Sequence, residues 1–333
     1  MNDQTTPIYF GPKKSNRSLV IVLAVLLAFS VLFSLILLLA LGATSSGGGM
    51  SIDDLPTEDY VGVLHIEGTI SSADTTSLLY SGDSLYSQEY VLTAIESMKN
   101  DENNRGILLY IDTPGGEIYA TDEVYTALLD YKSTTKRPVY AYFATYACSG
   151  GYYIAMAADE IYAHRMTTTG SIGVSYGTHI DLSGLCEKLG ITVEDITSGE
   201  NKAMGSYFAP LTDEQRAIYE SQLDEYYGYF VDVVEAGRGL SEDEVIALAD
   251  GRTYTAKQAR ELSLIDGIGE YKDYAASVSS RLGDATLYDL AFSMNYDDLL
   301  YSLGYNTAGS SEIEAVLAAI KPLSGVLAYY SGR

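Results

Sequence analysis

Hydrophobic and polar positions fall along this chain in three regimes. Residues 19–43 carry no charge and are dominated by Leu, Val, Ile, Phe and Ala. About 20 such residues suffice to cross a bilayer, so the run predicts one transmembrane helix. Short apolar runs and helix-spaced segments then alternate from residue 60 to about residue 200. Beyond residue 211 the pattern is helical almost throughout.

Residues 60–66 alternate and are rich in β-branched side chains, the pattern of a first strand. Residues 106–112 and 138–144 are near-continuous apolar runs, as expected of strands covered on both faces, and 160–164 reads as a fourth strand. Between them, Val91, Ile95 and Met98 share one face of a predicted helix over 87–99, and 117–132 is amphipathic. Residues 168–174 form a glycine-hinged turn into extended chain, 182–189 a helix, and 191–197 a further extended stretch. This alternation indicates βαβ units and a mainly parallel sheet. Thr212 and an acidic first turn open a long helix to about residue 235. Helices follow over 241–249, 256–262 and 271–282, then a helical C-terminal extension over 286–333.

Charge adds an orientation. Lys13, Lys14 and Arg17 precede the apolar run and the next charge is Asp53, so the positive-inside rule places 1–18 in the cytoplasm and the rest outside. The expected order is a cytoplasmic tail (1–18), a transmembrane helix (19–43), a flexible linker (44–58), an extracytoplasmic domain (59–285) and the extension (286–333). A cleaved signal peptide is the alternative, but its apolar region is shorter and Leu41-Gly42-Ala43 is a poor cleavage site. A net charge of −25 argues against nucleic acid as a partner. Two cysteines, Cys148 and Cys186, are too few for a disulfide framework or a structural zinc site, although one bridge is open to them. His65, His164 and His179 show no ligand spacing, so no metal or other cofactor is expected.

Candidate chemistry gathers at two turns that follow buried strands, Pro114-Gly115-Gly116 and Ser149-Gly150-Gly151. In a parallel sheet both lie on the carboxyl rim, where sites form. A serine between strand and helix is exposed and suits a nucleophile, and two amides aimed at one point make an oxyanion hole. A capping serine in a glycine-rich turn is the structural alternative. A phosphate cradle fails on spacing. The base is open on these grounds: a histidine brought near in space, or a lysine whose pKa burial lowers. Lys202, in the polar turn 197–202, is the lysine of interest, set against the ordinary reading of a solvated loop lysine.

Several motifs in order resemble the bacterial signal peptide peptidase A (protease IV-like) family of membrane-anchored serine peptidases. They are Asp112-Thr113-Pro114-Gly115-Gly116, Ser149-Gly150-Gly151-Tyr152-Tyr153-Ile154-Ala155, Thr169-Gly170-Ser171-Ile172-Gly173-Val174, Thr197-Ser198-Gly199-x-x-Lys202 and Ala249-Asp250-Gly251-Arg252. The likeness spans residues 60–270 and implies an α/β, crotonase/Clp-peptidase-like βαβ superhelix with a mainly parallel sheet and a helical C-terminal part. It implies a Ser/Lys dyad: Ser149 as nucleophile, Lys202 as general base, Gly116 and Gly150 as oxyanion amides, and Ser171 holding or relaying the lysine proton. It also implies a ring-shaped homo-oligomer and, as substrates, apolar extended peptides such as remnant signal peptides. Cys148 departs from the family, which favours a small residue there; the helix-initiating register keeps Ser149 as nucleophile. The apolar segment 315–330 has two readings, packing on a neighbour or entering an active site as a self-substrate. A crotonase-like acyl-CoA enzyme and a catalytically silent membrane scaffold are the rival functions.

Overall fold

The apolar run at 106–112 becomes the inside of a parallel sheet. In the computed structural model, which describes residues 55–72 and 86–290, β2 (Asn104–Thr113) lies between β1 (Tyr60–Glu67) and β3 (Val139–Cys148). The predicted transmembrane helix, most of the linker and the chain beyond residue 290 lie outside the described residues. Among the described residues no helix is long and apolar enough to cross a membrane. Those residues belong to one compact unit, 50–293.

Helices α1 (Gln88–Asn100) and α2 (Ile118–Thr135) make the β1–β2 and β2–β3 crossovers, as the alternation predicts. Ser87 caps α1, its hydroxyl accepting the Tyr90 amide at 3.3 Å. Ile66, Ile95, Ile107, Leu109, Val124 and Phe143 fill the core on this side. β3 is long enough to change partners along its outer edge. Its first half pairs with β4 (Glu160–Ala163) and its last residues pair with β5 (Thr168–Gly170). Both pairings are parallel, whereas β5 pairs antiparallel with β6 (Thr253–Thr255). That divergence separates β4 and the short β7 (Gly267–Ile268) from the edge that carries β5.

The sequence left the last elements partly misread. Residues 286–290, expected to open a helical extension, form β8 (Thr286–Leu290), a parallel edge strand on β1. Residues 191–197, read as extended, join no ladder and are all exposed, so their β-like composition finds no strand to pair with. The other helices follow their patterns: α3 (Gly150–Ala155), α4 (Ser183–Leu189), α5 (Asp213–Arg238), α6 (Glu242–Leu248), α7 (Ala256–Glu261) and α8 (Tyr271–Arg281). Thr212 and Gln215 cap α5 reciprocally, worth about 1 kcal/mol. At its other end Arg238 forks onto the Asp266 carboxylate at 2.9 and 3.0 Å, fixing α5 to the chain beside β4. Helix α8 covers the opposite face of the sheet, where many tyrosines are packing residues. Tyr142, Tyr162 and Tyr271 surround Tyr274 or one another, with Tyr162 stacked on Tyr274 at 4.3 Å.

His65 lies on β1, mostly buried, and its ring is 4.9 Å from that of Tyr110. Its nitrogens stand 3.4 Å from Glu67 and 3.0 Å from Asp289 on β8, near enough for ion pairs but not aligned as hydrogen bonds. Burial opposes the charged ring, yet the two carboxylates outweigh it and raise the pKa above the ordinary 6.5. A raised folded-state pKa gives stability that is complete below the unfolded value and lost as pH rises through the folded one. The stability gap between wild type and His65→Gln, measured by urea unfolding, should therefore be larger at about pH 5.5 than at about pH 8.5. Equal gaps would remove the charged clasp.

Candidate active site

The two glycine turns meet because β2 and β3 are parallel neighbours and both end at the same rim. Thr113 organises the first turn: its buried hydroxyl donates to the Gly68 carbonyl and accepts the Gly115 amide at 3.0 Å. The Asp112 carboxylate accepts the Tyr146 amide at 2.9 Å and ties this turn to β3. Gly115 sits at φ 106°, and a side chain there would bring its Cβ within 2.7 Å of Ser149 Cβ and 2.9 Å of the Gly150 nitrogen. Gly116 lies against the chain after β1. Ile70 donates its amide to Gly115 at 3.0 Å and accepts that of Glu117 at 2.9 Å. A Cβ on Gly116 would come to 1.9 Å from the Ile70 carbonyl oxygen.

Ser149 is half-buried, with φ 51° and ψ −119°, a backbone that side chains adopt at a cost of about 1–3 kcal/mol. It caps α3 only through its carbonyl, which accepts the Tyr153 amide at 2.9 Å; its hydroxyl makes no capping bond. The Ser149 amide is not available to an oxyanion. That amide donates to the Gly170 carbonyl at 2.8 Å. The amides of Gly116 and Gly150 donate to no backbone carbonyl among the described residues.

Ser149, Gly116, Gly150 and Ser171 line one cleft of about 1290 Å³. Ser171 sits at φ 53° just after β5, its amide held by the Arg252 carbonyl at 2.8 Å. The Gly251 amide donates to the Ile172 carbonyl at 3.0 Å. The Ala249–Arg252 stretch, a motif without a role in the sequence, is thus the brace for Ser171. Arg252 in turn grips Asp250 and holds its carboxyl down to about 2. Across the cleft, Tyr153 donates its hydroxyl to Asp122 at 2.7 Å. Burial, then that hydrogen bond, raises the phenol pKa well above its ordinary range. The aromatic wall from α5, including Tyr227 and Phe230, had no signal beyond helical spacing.

Lys202 is not among the residues that line this cleft. It lies exposed in a turn, its amide bonded to the Gly199 carbonyl at 3.1 Å. No residue from Gly173 to Tyr229 is buried.

Comparison with known proteins decides the class. The family model described as Peptidase family S49 matches residues 132–283, and that of ClpP-like SDH-type serine proteinases matches residues 80–180. A protein named signal peptide peptidase SppA in Enterococcus faecium is 37% identical over 68% of this chain and 65% of its own length. One named as a protease in Synechocystis is 36% identical over 61% of this chain and 71% of its own. One named as a protease in Methanocaldococcus jannaschii is 30% identical over 73% and 80%. The chain belongs to peptidase family S49. By that membership it is a serine peptidase with a mostly parallel, ClpP-like α/β fold, and it spans slightly less than two thirds of the Enterococcus relative.

Within this S49 chain Cys148 is no rival nucleophile. It is 7% exposed, burial raises its thiol pKa, and the sulfur lies 3.5 Å from the Thr168 carbonyl, away from the cleft. Both cysteines are free, so the bridge left open by the sequence is absent. Gly116→Ala should drive the turn off Ile70, and, on the oxyanion role that the family resemblance implies for Gly116, lower kcat by about 100- to 1,000-fold. Steady-state hydrolysis by a variant with unchanged thermal unfolding checks this.

Proposed function

We propose that the chain is a membrane-anchored serine endopeptidase, its catalytic domain outside the cytoplasm. It hydrolyses apolar, extended peptides, remnant signal peptides among them, through an acyl-enzyme on Ser149. The observation that carries the reading is the shared cleft of Ser149 with the two unspent amides of Gly116 and Gly150. Neutral Lys202 takes the Ser149 proton as Oγ attacks the peptide carbonyl, and the two amides hold the tetrahedral oxyanion. Lys202 then returns the proton to the leaving amine as the C–N bond breaks. Water, deprotonated by the same lysine, attacks the ester and releases the peptide acid, and the serine recovers its proton. Ser171, at the cleft wall, holds the lysine amine or relays its proton.

Lys202 stands outside the cleft of its own copy, so the reading places it in the cleft of a neighbouring copy within a ring-shaped homo-oligomer. Exposed apolar side chains in the same region, among them Ile180, Leu185, Leu189, Ile196 and Phe208, support such an association. An acyl-CoA enzyme is less well served, because among the described residues no Lys or Arg lines the cleft to meet the phosphates of that cofactor. Hydrolysis of an apolar fluorogenic peptide by the full chain tests the reading. Wild type should cleave and Lys202→Ala should not; equal rates would overturn the dyad.

A further inference from the structure

The chain that leaves β1, residues 68–72, forms a strap along the rim that carries Ser149. Its near end is tied to β2: the Gly68 amide donates to the Asp112 carbonyl at 3.1 Å, and the Gly68 carbonyl accepts the Thr113 hydroxyl. Ile70, at its middle, is fully buried and makes a parallel bridge with Gly116. Its carbonyl oxygen would stand 1.9 Å from a Cβ on Gly116, and its Cδ1 3.2 Å from a Cβ on Gly150. One residue thus packs on both glycines whose amides are read as oxyanion donors.

The strap also sets a direction. A trans peptide points its carbonyl and its amide in opposite directions. The Ile70 amide donates to the Gly115 carbonyl at 3.0 Å, which fixes the peptide plane shared by Gly115 and Gly116. The Gly116 amide is therefore turned away from the strap, and Gly116 lines the Ser149 cleft.

Glu117 holds the far end. One carboxylate oxygen accepts the Ser71 hydroxyl at 3.0 Å; the other accepts the Ser72 amide at 2.8 Å and the Ser72 hydroxyl. Glu117 is the N-cap residue of α2, yet its side chain makes no capping bond. A shorter Ser, Thr or Asp would satisfy a helix amide there, whereas the glutamate reaches across to the strap. Bonds to a carboxylate are about twice as strong as neutral ones. These hold the Glu117 pKa below its ordinary value, the Ser72 hydroxyl and amide foremost.

We infer that Glu117 is a positioning residue for the oxyanion hole: it clamps the strap, and Ile70 on the strap fixes Gly116 and Gly150. The inference rests on the peptidase reading of Ser149 and adds to it a residue outside the cleft lining. A donor that swings out of line weakens the transition state and leaves substrate binding nearly intact.

The test uses the full-length protein, an apolar peptide substrate and the aldehyde of the same sequence, whose hemiacetal with Ser149 puts its oxygen where the oxyanion forms. Glu117→Ala should lower kcat about tenfold and weaken aldehyde inhibition by a like factor. KM should stay within about twofold. Glu117→Gln keeps an acceptor for the Ser72 amide and should recover kcat to within about threefold of wild type. Ser72→Ala, which removes one of the three bonds, serves if Glu117→Ala does not fold, and should lower kcat about threefold at constant KM. Unchanged kcat in the folded variant, or a loss carried by KM alone, would overturn the inference. Hydrogen exchange separates its failure from that of the peptidase reading, because the Ile70 amide should exchange faster once Glu117 is removed. Faster exchange in a protein that cleaves no peptide would uphold the clamp and sink the peptidase reading. Unchanged exchange in an active enzyme would sink the clamp alone.

Discussion

Ser149→Ala will yield a folded protein that cleaves peptides at least about 10⁴-fold more slowly than wild type. The backbone at φ 51° and ψ −119° is held by neighbours that do not involve the hydroxyl. The amide is fixed on Gly170, the carbonyl on Tyr153, and the Gly115 turn presses on the Cβ that alanine keeps. On the proposed mechanism, removing Oγ therefore removes only the nucleophile and leaves the strained turn and both proposed oxyanion amides in place. Residual hydrolysis above the uncatalysed rate would come from those amides and from substrate binding. The checks are kcat/KM, circular dichroism and labelling with a fluorophosphonate. Retained labelling would put the nucleophile elsewhere, and Cys148 is too buried to be the replacement.

The parts of this site legible in sequence were those whose chemistry is local. Each glycine turn was marked by its own residues, and two parallel strands that end together bring such turns to one rim without further information. What stayed hidden depends on distant chain. That the Ser149 amide is spent on Gly170 follows from β3 changing partner to β5 at its last residues, which no local pattern announces. The brace of Ser171 by Gly251 and Arg252 joins segments some eighty residues apart in the same way. Residues 286–290 read as helix because their alternation is short and mixed, and they become a strand only because β1 has an open edge to pair with. Composition likewise suggested no specificity. The net charge of the whole chain says little about one cleft, whose charged lining among the described residues is Asp122, Asp224, Asp232 and Asp250.

The position of Lys202 gives the sharpest expectation. On the proposed dyad, Lys202→Ala alone should abolish activity as fully as Ser149→Ala, since one proton acceptor would serve both half-reactions. The two inactive variants, co-expressed in equal amounts, should regain activity. A site is then built from the serine of one copy and the lysine of the next, a head-to-tail relation that closes into a ring. With random assortment, about one site in four combines the intact serine of a Lys202→Ala copy with the intact lysine of a Ser149→Ala copy. Activity near that fraction of wild type, at equal total protein, is the expected result. If serine and lysine came from the same copy, no mixed assembly would hold an intact pair and the mixture would stay silent. A silent mixture that still assembles to the wild-type size would require residues 173–229 to fold back over their own cleft, and the exposure of that whole segment would then lack its explanation.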